Sequence, residues 1–114
     1  MPTVPIKEII AAINARTHVE GDPAREVERA AVGDLLSFVM GSDSDGAAWV
    51  TIQTHLNVAA VAVLKDIPII IIASGREPAL DLAERCAAEN VTLVTAPDSI
   101  FGVCVKLGKL GLTG

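Results

Sequence analysis

Aromatic side chains are almost missing from this chain: 114 residues hold two Phe, one Trp and no Tyr. Few platforms remain on which bases could stack. Basic clusters are missing too, since no two of the nine Lys and Arg residues are adjacent and fourteen Asp and Glu leave a net charge of −5. A protein with neither basic clusters nor aromatics is a poor partner for nucleic acid. The longest apolar runs, Val58–Leu64 and Ile67–Ala73, fall far short of the roughly 18 residues a membrane helix needs, so no membrane partner is expected. The opening MPTVPIKEII lacks an apolar segment behind a basic one, and the expected compartment is the cytoplasm. Cysteine and histidine number two each, none closely spaced, which argues against a zinc site, and no metal or other cofactor is expected. Cys86 and Cys104 fall in segments read as helices, where the expected role of a thiol is that of a small buried hydrophobe, with a disulfide or redox pair as the alternative.

What the chain does have is aliphatic. Hydrophobic residues make up 51% of it, enough to build a single core from Ala, Val, Ile and Leu, and residues 1–114 are read as one domain. Isoleucines at 6, 9, 10 and 13 mark an amphipathic helix over 5–14, with Thr3 as its expected N-cap and Pro5 in the first turn. A short strand over 16–20, a turn at Gly21-Asp-Pro and a second strand over 27–32 follow. A short helix over 35–40 leads to a loop at 41–46, whose two aspartates lack the spacing of a calcium loop. From Ala47 the pattern becomes regular. Strands over 47–53, 68–73 and 91–95 alternate with helices over 55–65, 78–89 and 99–107, and Gly108 is the expected residue just past the last helix. Near-continuous Val/Ile strands alternating with helices predict a three-layer α/β/α fold around a mostly parallel sheet.

Right-handed crossovers would align the three strand C-termini along one edge, where ligands bind in open α/β sheets. That edge collects Gln53, Thr54, His55 and Asn57, then Ser74, Gly75 and Arg76, then Asp98 and Ser99. Helix N-termini beside such residues favour an anion, with Arg76 as a clamp. Other roles stay open. Thr54, Asp98 and Ser99 suit helix caps, Gly75 suits a backbone of positive φ, and Arg76 suits a plain surface charge. Neither His18 nor His55 stands near a Gly-x-Ser-x-Gly elbow. The stretch from Gly102 to Leu110 fails as a phosphate loop, with five residues between its glycines and leucine where magnesium needs a hydroxyl. No catalytic residue is assigned, and the chain is not expected to be an enzyme.

Val32–Leu36, Trp49–His55, Ile69–Gly75 with Glu77-Pro78, and Val94–Ile100 together resemble the DRTGG domain family, which is similar to the N-terminal domain of HPr kinase/phosphorylase. Where that family has Asp-Arg this chain has Thr54-His55; its Thr-Gly-Gly is Ala73-Ser74-Gly75, and its Asp-Thr is Asp98-Ser99. The Gln-Thr-His variant with Asn two residues on resembles small stand-alone members, some encoded near iron hydrogenases beside kinase-like or anti-sigma-like partners. The resemblance implies a regulatory domain without catalysis of its own. Two functions follow as expectations. One is a sensor binding a small anionic ligand, such as a nucleotide, at the strand-end edge; the other is an interaction module docking a kinase-like or anti-sigma-like protein. The helix over 55–65 is apolar almost all round, which predicts a homodimer with Ala60 or Ala62 in its contact unless the helices over 5–15 and 99–107 flank it.

Overall fold

In the computed structural model residues 3–33 and 45–114 are described; the helix expected over 35–40 and most of the 41–46 loop lie outside them. Their elements are β1 (Val4–Pro5), α1 (Ile6–Ala12), β2 (Arg16–Val19), β3 (Glu26–Val27), β4 (Ala30–Val32), β5 (Ala48–Thr51), α2 (Asn57–Leu64), β6 (Ile69–Ile72), α3 (Leu80–Ala88), β7 (Thr92–Thr95) and α4 (Ile100–Lys109). A five-stranded sheet runs in the order β2-β7-β6-β5-β4. Strands β4 to β7 are parallel neighbours, and β2 joins β7 antiparallel.

The four isoleucines of β6 show why the sheet is covered on both sides. Ile69 and Ile71 face one layer, Ile70 and Ile72 the other, and all four are fully buried. One layer packs Ile6 and Ile9 of α1 with Val103 and Leu107 of α4. The opposite layer packs Val58 and Ala62 of α2 with Leu82 and Cys86 of α3, around buried Trp49. The indole N–H of Trp49 donates to the Gly33 carbonyl at 3.0 Å, so its burial leaves no orphan donor. The expected three-layer α/β/α arrangement is present. Helices α1 and α4 lie across the sheet from α2 and cannot flank it.

The four helices among the described residues close the same way. Asn14, Asp66, Asn90 and Gly111 take positive φ just past the helix end. The next residue's amide then reaches back: Ala15 to Ile10, Ile67 to Ala62, Val91 to Cys86 and Leu112 to Leu107. This is the Schellman closure, and Asn, Asp and Gly carry it because they tolerate the left-handed backbone. Gly108 therefore sits inside α4, and Gly111 does the work expected of it.

Three other expectations are corrected. The strand read over 27–32 is two pieces: Glu26–Val27 pairs with β1 in a separate ribbon, and Ala30–Val32 forms the outer strand of the sheet. Thr3 does not cap α1, because its hydroxyl donates to Glu26 at 2.7 Å across that ribbon. Thr54 does not cap α2, which starts at Asn57 after a tighter turn in which Val58 N donates to His55 O and Ala59 N to Leu56 O. Gly21 is fixed by crowding, since a Cβ there would come within 2.8 Å of the Asn90 carbonyl.

Candidate functional site

The ends of β5, β6 and β7 lie together because the strands are parallel and in register from Thr51 through Ile72 to Thr95. Antiparallel β2 adds its own start to this edge, with Arg16 opposite Thr95. The loop after β6 turns on Ser74 (φ 61°) and Gly75 (φ 65°), and the Arg76 N–H reaches back to the Ala73 carbonyl at 3.4 Å. Two consecutive positive φ values define a type I′ turn. Glycine stands where the backbone asks for it.

Arg76 then ties the two neighbouring strand ends together. Its guanidinium donates to the Ile52 carbonyl past β5 at 3.2 Å. Its own carbonyl accepts from the Thr95 hydroxyl of β7 at 3.0 Å. The same hydroxyl oxygen lies 2.8 Å from His18 Nε2. Thr95 has one proton and the Arg76 carbonyl can only accept, so His18 Nε2 must carry the hydrogen and donate. Burial, then the charge of Arg16, holds the His18 pKa below its ordinary value, which favours this neutral ring. Arg16 itself forms an exposed ion pair with Glu77.

Gln53 is the anomaly. Its backbone N–H donates to Thr51 Oγ1 at 3.1 Å, but its side-chain oxygen Oε1 is buried with no hydrogen-bond donor. A buried acceptor left unpaired costs about 1–3 kcal/mol, so it calls for an explanation.

The nine residues expected at the edge divide among different tasks. Asp98 and Ser99 are occupied by the fold: Ser99 caps α4 through Gly102 N, Asp98 pairs with Lys106 at 2.7 Å, and its carbonyl accepts from Ser74 N at 2.6 Å. The Gly75 amide is spent on the Ala96 carbonyl at 2.8 Å, so the β6 loop offers an anion fewer free amides than expected. Gly75 lines a cleft of about 280 Å³ with Asn14, Arg16, Thr95 and Pro97. His55 and Asn57 line a different and larger cleft of about 590 Å³ between α2 and α3, facing Asp81 and Arg85. Thr54 lines neither cleft; its carbonyl accepts from the N–H of Ala79, a wall of the second one, at 2.9 Å. His18, Arg16 and Asn14 were not expected here. Only the pairing of β2 with β7 brings them in, and no local pattern announces which edge a short strand will join.

Both cysteines are free; Cys86 is buried and its thiol is pushed up to about 11, while Cys104 is raised by partial burial. Neither is poised as a thiolate. Among the described residues no group of three His, Cys, Asp or Glu side chains could hold a metal ion, and no helix is long and apolar enough to cross a membrane.

The elements and their order define a mixed α/β domain with a mostly parallel sheet, and a solved structure shares it. That structure contains the CBS and DRTGG domains of the regulatory region of Clostridium perfringens pyrophosphatase, complexed with the activator diadenosine tetraphosphate. The two superpose with a TM-score of 0.75 at 14% identity, over 93% of this chain and 46% of the neighbour's. The chain thus spans about half the neighbour's length, and the likeness supports a DRTGG-like fold. No family model matches the sequence, and no curated protein matches it.

Proposed function

We propose that this chain is a non-catalytic regulatory module that binds a small anionic ligand, of the nucleotide class, at the strand C-terminal edge. The observation that carries the reading is the buried, donor-less Oε1 of Gln53, next in sequence to the Ile52 carbonyl that Arg76 holds. A ligand with both an N–H or O–H donor and an anionic group would satisfy the Gln53 acceptor and draw the guanidinium onto itself. Nucleotides carry both groups. The pyrophosphatase region of the same fold was crystallised with a dinucleotide activator, which supports the class without naming the molecule.

Titration calorimetry with AMP, ATP, diadenosine tetraphosphate and inorganic phosphate tests the reading. Binding of at least one nucleotide is expected. Arg76→Ala should weaken it about tenfold or more, the size of a lost charge-assisted hydrogen bond, and Gln53→Leu should weaken nucleotide more than phosphate. No binding across the panel, or affinity unchanged in both variants, rejects the site.

One observation favours the second reading, an interaction module for a kinase-like or anti-sigma-like protein: Ser99, Asp98 and the Ser74 and Gly75 amides are already engaged inside the fold. Capture of such a protein by a chain that binds no nucleotide would establish it.

A further inference from the structure

Seven large hydrophobic side chains are exposed among the described residues, and four of them belong to one region: Leu56, Val63 and Leu64 along α2, and Leu80 at the start of α3. Leu56, Ala60, Val63 and Leu64 follow at i, i+4, i+7 and i+8, so they form one outward stripe. Ala60 at its middle is exposed and small, which allows another backbone to come close. The α2–α3 cleft runs beside this stripe. A small ligand in the cleft would leave Val63 and Leu64 uncovered, since neither lines it.

The charges across the cleft say what covers the stripe. Asp81 is exposed and has no ion-pair or hydrogen-bond partner among the described residues. Arg85, one turn on, makes only a loose ion pair of 3.6 Å with Glu89. The surface therefore presents one carboxylate and one guanidinium four residues apart, on a helix with an apolar neighbour. Such a pattern is complementary to itself. A two-fold axis crossing α3 between these residues runs two copies of the helix antiparallel and sets each Asp81 opposite the other copy's Arg85.

We propose that the α2–α3 surface is the contact face for a second copy of this chain, with the Leu56–Ala60–Leu64 stripe buried and Asp81 paired to Arg85 across the axis. The inference rests on no ligand and stands apart from the strand-end site. It also decides between the two alanines singled out from sequence. Ala62 is fully buried against the sheet, so only Ala60 can lie in a contact.

Sedimentation equilibrium of the full chain at micromolar concentration is the test. The wild type should sediment as a dimer of the 11.8 kDa chain. Ala60→Glu should yield a monomer, with a circular dichroism spectrum like the wild type's because the position is exposed. Asp81→Arg and Arg85→Asp should each raise the dissociation constant about tenfold or more, and the double variant should return to within a few-fold of wild type. A monomeric wild type, a dimer indifferent to Ala60→Glu, or a double variant no tighter than the single ones would each overturn the proposal. Rescue by the double variant would separate a self-complementary face from a generally sticky one.

Discussion

Helices α2 and α3 lie side by side on the same face of the sheet, yet they meet water differently. α3 turns Leu82 and Cys86 inward and Asp81, Glu84 and Arg85 outward, the division expected of a helix covering a core. α2 buries Val58, Ala59, Val61 and Ala62, but its outward side is Ala60, Val63 and Leu64, with Asn57 the sole polar residue of its eight. Apart from Leu80 at its first position, which is exposed beside α2, α3 shows the inward–outward division that covering one chain's core requires. The fold of one chain gives no reason for the outward half of α2. A lone exposed leucine needs no explanation, whereas a stripe beside a cleft does.

The largest effect that can break this comparison is a charge placed on either side of α2. Ala62 is fully buried, and a carboxylate there would find no partner, at a cost of several kcal/mol. Ala62→Glu is expected to unfold the chain or lower its stability by about 3–5 kcal/mol in urea titration. Ala60→Glu, compared with wild type at a concentration where both are monomeric, should stay within about 0.5 kcal/mol of wild type. If both variants unfold, α2 is covered all round within one chain, and the contrast with α3 disappears.

Much of this arrangement was legible in the sequence because it rests on local patterns. The run Ile69–Ile72 can be buried on both faces only in a covered sheet, and the isoleucines at 6, 9 and 13 give a stripe that ends buried as expected. The βα alternation alone puts Gln53, Ser74, Arg76 and Asp98 on one edge. The rest depended on pairing across distance. The positions of His18 and Arg16 follow from the pairing of β2 with β7, residues nearly eighty apart in the chain, and nothing in Arg16–Val19 specifies that partner. The split of the 27–32 segment depends on β1 claiming Val27, which is likewise non-local. A helix start is hidden from sequence where the backbone, and not a side chain, makes the turn, as between Thr54 and Asn57. Hydrogen bonds between loops, such as Ser74 to Asp98, spend groups at the edge that a sequence shows as free.

A middle-sized effect separates the inward faces of the two helices by pH. Cys86 on α3 is buried, and burial lifts its pKa from 9.0 to about 11. The fold therefore prefers the neutral thiol, while the unfolded chain ionises first. Its contribution to stability is complete below pH 9 and declines as pH rises toward 11, by on the order of 2 kcal/mol. The inward positions of α2 are Val and Ala, with nothing to titrate. Urea titrations from pH 8 to pH 11 should show the decline in wild type and a smaller one in Cys86→Ala. An equal decline in both would remove Cys86 from the account.

The smallest effect lies at the helix starts, where α3 can be improved and α2 cannot. Ser99, the N-cap of α4, has φ −62° and ψ 168°, and its hydroxyl accepts from Gly102 N. Ala79, the N-cap of α3, has nearly the same backbone, φ −62° and ψ 148°, but no hydroxyl to offer. In Ala79→Ser the new oxygen would meet the Leu82 amide three residues on, while the Ala79 N–H keeps its bond to the Thr54 carbonyl. A cap of this kind contributes about 1 kcal/mol, so the melting temperature should rise by a few degrees. Leu56 precedes α2 with φ −52° and ψ −34°, already helical, so a serine there cannot fold its side chain back onto the first turn. Leu56→Ser is expected to give no gain in thermal stability. A rise in Leu56→Ser equal to that in Ala79→Ser would mean that α2 starts as α3 does, and that the tight turn after Thr54 is not what leaves its first turn without a side-chain cap.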